Sequence, residues 1–292
     1  MRVFQGFMMA LADSVPGVSG GTVAFLMGFY DALIGALRHI ASPDRRARLR
    51  AHRFLLLLGA GWAAGMALAM LTLNGVMAKC SCAVSSLFLG FVLASIPTVA
   101  WKERGCLLGH LNAAPMIAAG FALVFAVTYF STHSALDVSL TQLTPLSALL
   151  LFVAAAAAIS AMILPGISGS SLLMAFGLYV PLVARINALL PGDFSALPIV
   201  AVFGLGALLG LLGFVRLLNR ALKRRRAQVM YAVLGMMAAS LYAVVMGPTT
   251  LDVPQPTLSA GNFSILWFLI GCGVIAAFLG FERAANRKAA RR

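Results

Sequence analysis

The sequence predicts an all-α polytopic membrane protein, with six transmembrane helices and two re-entrant helical hairpins arranged as an inverted tandem repeat. Three observations predict it: too little charge for a water-facing surface, long apolar runs, and a Pro/Gly/Ser motif that occurs twice. Charged residues make up 10% of the 292 and hydrophobic ones 61%, with a mean hydropathy of +0.97. A soluble domain carries roughly 25% charged side chains. That balance excludes soluble enzymes, disordered chains, collagen and disulfide scaffolds. Runs such as Phe54–Leu73 and Leu146–Leu164 are also too long for barrel strands, which alternate over about ten residues.

The spans follow from length, since a crossing helix needs about 20 mostly apolar residues. Six segments meet this: about 54–77, 83–100, 114–130, 199–219, 228–246 and 263–281. Two more, about 3–37 and 146–190, are apolar but interrupted near their middles by Pro, Gly and Ser. A net charge of +14 and a pI near 10.8 do not signal nucleic acid, because the basic residues sit between spans as the positive-inside rule requires. Arg2, the 38–53 loop, Lys102 with Arg104, the 216–226 segment and the C-terminal tail hold 20 of the 22 Lys and Arg, leaving Lys79 and Arg185. The loops 131–145, 191–198 and 247–262 hold none. Both termini are therefore expected in the cytoplasm, with the chain crossing its membrane several times. No cleavable signal peptide is expected. Cys80, Cys82, Cys106 and Cys272 lack metal-ligand spacing, and the first two read as small loop residues; no metal or other cofactor is expected.

The interrupted segments are copies. Pro16-Gly17-Val18-Ser19-Gly20-Gly21-Thr22, followed by Gly28 and Tyr30, returns 149 residues later as Pro165-Gly166-Ile167-Ser168-Gly169-Ser170-Ser171, followed by Gly177 and Tyr179. Gly59-x-Gly61-x-x-x-Gly65 returns 145 later as Gly204-x-Gly206-x-x-x-Gly210, and Leu89-Gly90 returns as Leu234-Gly235. A shared offset across several segments marks a duplication, with halves 1–145 and 146–292. The chain leaves the first motif into an Arg-rich loop and the second into an uncharged one. The halves are thus expected to be inverted, an architecture of many secondary transporters. Re-entry of both hairpins is favoured because lipid does not tolerate exposed Gly-rich backbone, whereas a protein-lined cavity does.

Each tip sets Ser, Gly and hydroxyls at the start of a helix, where unpaired N–H groups and roughly half a positive charge favour an anion. Ser19, Gly20, Gly21 and Thr22 with Ser168, Gly169, Ser170 and Ser171 are the expected halves of a phosphate cradle; plain turns are the competing reading. Asp13 precedes the first motif only, its counterpart being Met162. It is either a coupling carboxylate for a proton or sodium ion or a cap for the turn. Arg185 lies 14 residues past Ser171, about 21 Å along a straight helix. It either captures phosphate at the outer mouth or snorkels. Asp31 is expected to be solvated or paired with nearby arginines. The four histidines form no ligand cluster.

The first motif, from Ala12 to Thr22 with Gly28-Phe29-Tyr30, resembles the signature of the bacterial polyprenyl-phosphate translocase family. Leu164–Ser171 and Leu89-Gly90…Ser95-Ile96-Pro97 resemble it too. The likeness covers nearly the whole chain. It implies that undecaprenyl phosphate is recycled from the outer to the inner leaflet, its tail staying in lipid while the head crosses, with membrane lipids as further partners. A rival resemblance is to undecaprenyl-diphosphate phosphatases, whose Pro-Gly-x-Ser-Arg-Ser motif the second tip approaches; Gly169 stands where the arginine would be. The glutamates, Glu103 and Glu282, fall at expected loop positions. Cleaving a phosphoanhydride calls for placed cations. A small-anion transporter is the third reading.

Overall fold

The computed structural model describes residues 1–14, 19–133, 143–189, 194–250 and 255–290. Among them it is helical and contains no strand. The first interrupted segment forms α1 (Arg2–Asp13), α2 (Gly20–Leu26) and α3 (Tyr30–His39); α4 is Arg45–Lys102, and α5 (Arg104–Leu108) leads into α6 (Met116–His133). The second interrupted segment forms α7 (Pro145–Ile163), α8 (Gly169–Ala175) and α9 (Tyr179–Leu189), followed by α10 (Leu197–Arg224), α11 (Arg226–Met246) and α12 (Ile265–Ala290).

Local chemistry accounts for the ends. Thr144 and Ser147 exchange side-chain and backbone bonds in a capping box, with Pro145 at the first position of α7. The Asp44 side chain accepts from Arg46 N–H at the start of α4. Both short helices stop in the same way. Gly28 (φ 66°) and Gly177 (φ 67°) take left-handed conformations that side chains disfavour. Gly28 N–H donates to Phe25 O and Phe29 N–H to Ala24 O, while Gly177 and Leu178 donate to Met174 O and Leu173 O. These are Schellman closures. They bend α2 against α3 by 116° and α8 against α9 by 112°.

Six helices are long and apolar enough to cross a membrane. Five match expected spans: Arg45–Ala69, Cys80–Lys102, Leu111–His133, Phe194–Arg224 and Arg226–Thr249. The sixth is Pro145–Ile163, in the second interrupted segment, where a re-entrant arm was expected and no full span; the expected last span is α12, whose described apolar part is Ile265–Gly280. Cys80 and Cys82 are not in a loop. They lie at a kink of α4, where Cys80 leaves helical geometry (φ −137°, ψ 37°) between two spans that continue without a connecting turn. Glu282 likewise falls within α12 rather than in a loop.

Helix α11 lies at the centre, with Met230 and Met237 fully buried beside Val92, Val124 and Val215. Leu56, Leu71 and Val180 are more than 70% exposed on the outside, where lipid would cover them. Small residues set the close packing. Gly61 meets Val3 O of α1, and Gly206 meets Phe152 O of α7, so both partners recur at the offsets of the sequence repeat (206 − 61 and 152 − 3). The last two pairings cross over. Gly120 of α6 meets Ala232 of α11, while Gly271 of α12 meets Leu87 of α4. The final helix of each sequence half thus packs on a helix of the other.

Candidate functional site

The first tip packs against the end of α7, where the second motif begins. Ser19, extended at φ −126° and ψ 136°, caps α2, its hydroxyl accepting from Gly21 N–H at 3.1 Å. The same hydroxyl donates to Leu164 O at 3.0 Å, joining the first tip to the end of α7. A Cβ on Gly21 would lie 2.8 Å from Ile163 O, so this crossing needs a residue without a side chain. Ser19 and Thr22 are 1% and 2% exposed, and Gly20 and Gly21 are buried with them. Val15, Pro16, Gly17 and Val18 of the first motif lie outside the described residues.

Asp13 is part of the first tip. Its Oδ1 accepts from Gly20 N–H at 2.6 Å, and its Oδ2 accepts from the Trp62 indole N–H at 2.9 Å. The carboxylate thus sits on one of the N–H groups expected to face a phosphate, and Ser19 takes the next. This geometry is the capping arrangement, made by a residue seven positions upstream of the helix.

The second tip has the same shape and different chemistry. Ser168 caps α8 without a side-chain bond to the backbone, and its hydroxyl pairs with that of Ser170 at 2.7 Å. Ser168, Ser170 and Ser171 are half-buried, whereas Gly169 is buried. A Cβ on Gly169 would lie 2.6 Å from Met162 Cγ, just as one on Gly20 would lie 2.7 Å from Asp13 Oδ2. Met162 therefore fills the place of Asp13 without charging it. One tip is closed by its own carboxylate; the other presents hydroxyls and first-turn amides.

Arg185 is not carried along the helix that bears the second tip. The straight-helix estimate of about 21 Å fails because the bend between α8 and α9 turns the chain by 112° before Arg185. Asp31 is ion-paired, with Arg226 at 3.1 Å and not with the arginines near it in sequence, and Arg226 also binds Glu103 at 2.7 Å. Sequence reasoning missed Trp62. It is 49 residues from its partner Asp13, and the nearest hint was its neighbour Gly61, a member of the repeated small-residue pattern.

The comparisons with known proteins agree with one another. A family profile described as undecaprenyl phosphate translocase-like matches residues 9–262. A polyprenyl-phosphate transporter of Vibrio cholerae is 28% identical over 315 aligned residues, covering 97% of this chain and 96% of its own. A Staphylococcus aureus protein of the same description is 26% identical over 286 residues, covering 98% of each. No solved structure matches the chain.

Proposed function

The chain belongs to the undecaprenyl phosphate translocase-like family, and from that premise we propose that it carries undecaprenyl phosphate, chemically unchanged, from the outer to the inner leaflet. Polyprenyl-phosphate transport is the described role of both relatives. The observation that carries the reading is the contact between Ser19 and Leu164. It joins the buried, glycine-opened start of α2 to the end of α7, a few residues before the half-buried start of α8. A phosphate held there by backbone N–H groups and hydroxyls needs no permanent cation, so it can also be released. The tail stays in lipid, and the head alone needs a path.

Ser19, Gly20, Gly21 and Thr22 form one half of this cradle, and Ser168, Gly169, Ser170 and Ser171 the other. Asp13 is the coupling group. A carboxylate on Gly20 N–H competes with an incoming phosphate, so the first tip opens when Asp13 binds a proton or sodium ion and lets go. Arg185, on the far side of the α8–α9 bend, meets the head at the outer mouth. The two halves are inverted, and the basic loops and both termini face the cytoplasm. The charge distribution and the recurring Gly61–Val3 and Gly206–Phe152 contacts support that arrangement.

The test is reconstitution in proteoliposomes with the leaflet location of the lipid phosphate followed over time. Net inward movement of the lipid phosphate, with neutral lipids left in place, is expected. Release of phosphate from the lipid diphosphate would make the protein an enzyme instead, and scrambling of lipids regardless of head would rule out a specific carrier.

A further inference from the structure

The elbow between α2 and α3 is fastened by charged groups whose equivalents in the second half are uncharged. Lys102, the last residue of α4, donates from Nζ to Leu26 O at 3.0 Å and lies over the Phe278 ring of α12 at 5.9 Å. It caps one of the carbonyls that the end of a helix leaves without an internal partner. Arg226, the first residue of α11, binds Asp31 of α3 at 3.1 Å, and its Nε and Nη2 donate to Glu103 at 2.9 and 2.7 Å. These contacts tie the elbow to α4, α11 and α12. Between the elbow and the end of α4, around Gly28 and Val99, a cavity of about 140 Å³ remains. That is several times the roughly 30 Å³ that one water occupies in the liquid, so the elbow is held at its rim and not packed throughout. At the positions that the repeat pairs with Asp31, Lys102, Glu103 and Arg226 stand Val180, Gly247, Pro248 and Ser81. The second elbow nonetheless bends by 112° against 116° for the first, so the bend does not need these charges.

Resting on the carrier reading above and its orientation, we propose that Lys102, Asp31, Glu103 and Arg226 form a cytoplasmic latch. It keeps the first hairpin closed on the inner-leaflet side until a lipid phosphate has loaded. Helix α2 transmits the event. It has seven residues, about 10 Å of helix, with Ser19 and Gly20 at one end and the latched Leu26 at the other. A phosphate that displaces Asp13 from Gly20 N–H pushes on the first end, and a short helix passes the movement to the second. The bond that parts is the one between Asp31 and Arg226, because the Asp31 side chain is 60% exposed against 18% for Glu103. Water and salt replace an exposed ion pair at little cost, while Glu103 keeps Arg226 on the end of α4. The uncharged counterparts leave the outer side without this latch, so the unloaded carrier rests open to the leaflet where it must load.

The experiment measures cysteine labelling of the full chain in membrane vesicles, with an impermeant thiol reagent on the cytoplasmic face. Cys80, Cys82, Cys106 and Cys272 are replaced by alanine, and one reporter is introduced at a time. Val99→Cys, 2% exposed and lining the cavity, reports the latch; Val124→Cys, 1% exposed in the core, reports general loosening. Asp31→Asn should speed labelling at Val99→Cys about threefold to fivefold, and Arg226→Gln, which breaks both pairs, by more. Labelling at Val124→Cys should stay slow in each. An unchanged rate at Val99→Cys in Arg226→Gln overturns the latch, and so does a rise at both reporters together. A fifteen-carbon prenyl phosphate, supplied to the outer leaflet, should speed labelling at Val99→Cys in the chain with its latch intact. If the variants speed labelling and the lipid does not, the latch stands and the lipid-phosphate reading fails. If the lipid speeds labelling and the variants do not, the carrier stands and the latch fails.

Discussion

Replacing Asp13 with asparagine keeps the side-chain shape and removes the charge, which separates the capping and coupling roles of this residue. The carboxylate accepts from two donors, Gly20 N–H at 2.6 Å and Trp62 Nε1–H at 2.9 Å, on different oxygens. An asparagine has one acceptor oxygen, so it can satisfy one of them and must turn its NH₂ toward the other. A hydrogen bond to a charged group contributes about 1.5–3 kcal/mol and a neutral one about 1, while a buried donor left unpaired costs about 1–3. Together these give a loss of about 2–4 kcal/mol, read as a lower thermal midpoint in nanodiscs. Trp62→Phe in the Asp13→Asn background removes the stranded donor and should recover about 1 kcal/mol or more, a coupling that a double-mutant cycle isolates. In proteoliposomes, Asp13→Asn should still bind prenyl phosphate, while transport loses its dependence on pH or sodium. Wild-type pH and sodium dependence in the variant would refute the coupling role. Independent stability effects of the two substitutions would refute the shared hydrogen-bond geometry.

Other substitutions test the tips and the scaffold. Gly20→Val and Gly169→Val place side-chain carbons against Asp13 and Met162, respectively, and should abolish lipid-phosphate transport while membrane insertion, checked by alkaline extraction, is retained; normal transport in both would make the tips ordinary turns. Ser168→Ala removes one hydroxyl from the second tip and should weaken phosphate binding by about 1.5–3 kcal/mol, read by titration, with the glycine replacements always the worse. Gly206→Leu drives a side chain into Phe152 of α7 and should destabilise the fold by about 1–3 kcal/mol of overpacking, read as a lower thermal midpoint. Cysteines introduced in 131–145 or 247–262 should react with impermeant reagents from outside whole cells; labelling from the cytoplasmic side would reverse the orientation.

The parts of this fold that depend on composition and local spacing could be read without coordinates. Five spans follow from hydropathy because lipid selects for length and apolarity and little else. The hairpins were visible because Pro, Gly and Ser interrupt otherwise unbroken apolar runs. Gly28 and Gly177 belong to the motifs, but nothing in their spacing says that the helix ends there, so the sequence alone suggests a straight helix through to Arg185. The kink at Cys80 was equally hidden, since Cys and Ser mark a helix break no better than a loop. Long-range chemistry was the least legible. Asp13 had a local cap reading, but Trp62 reaches it only because Gly61 and Gly65 bring α4 against α1. The Asp31–Glu103–Arg226 cluster joins residues up to 195 apart, and the first-loop arginines nearer to Asp31 in sequence are not the ones that pair with it.

The crossed pairing of α6 with α11 and of α12 with α4 has a consequence for the order of events on the ribosome. Gly61 finds its partner at Val3 as soon as the first span of α4 is made. Gly90, on the second span, packs against Phe268 of α12 and has nothing to close on until that last helix emerges. At about 5–20 residues per second, the roughly 180 residues between Gly90 and Phe268 take on the order of 10–35 s to synthesise. Throughout that interval a groove on α4 faces lipid or an insertion factor. A premature stop before Ile265 would leave it open permanently, so the C-terminal helix is the clasp that turns an inserted chain into a finished one.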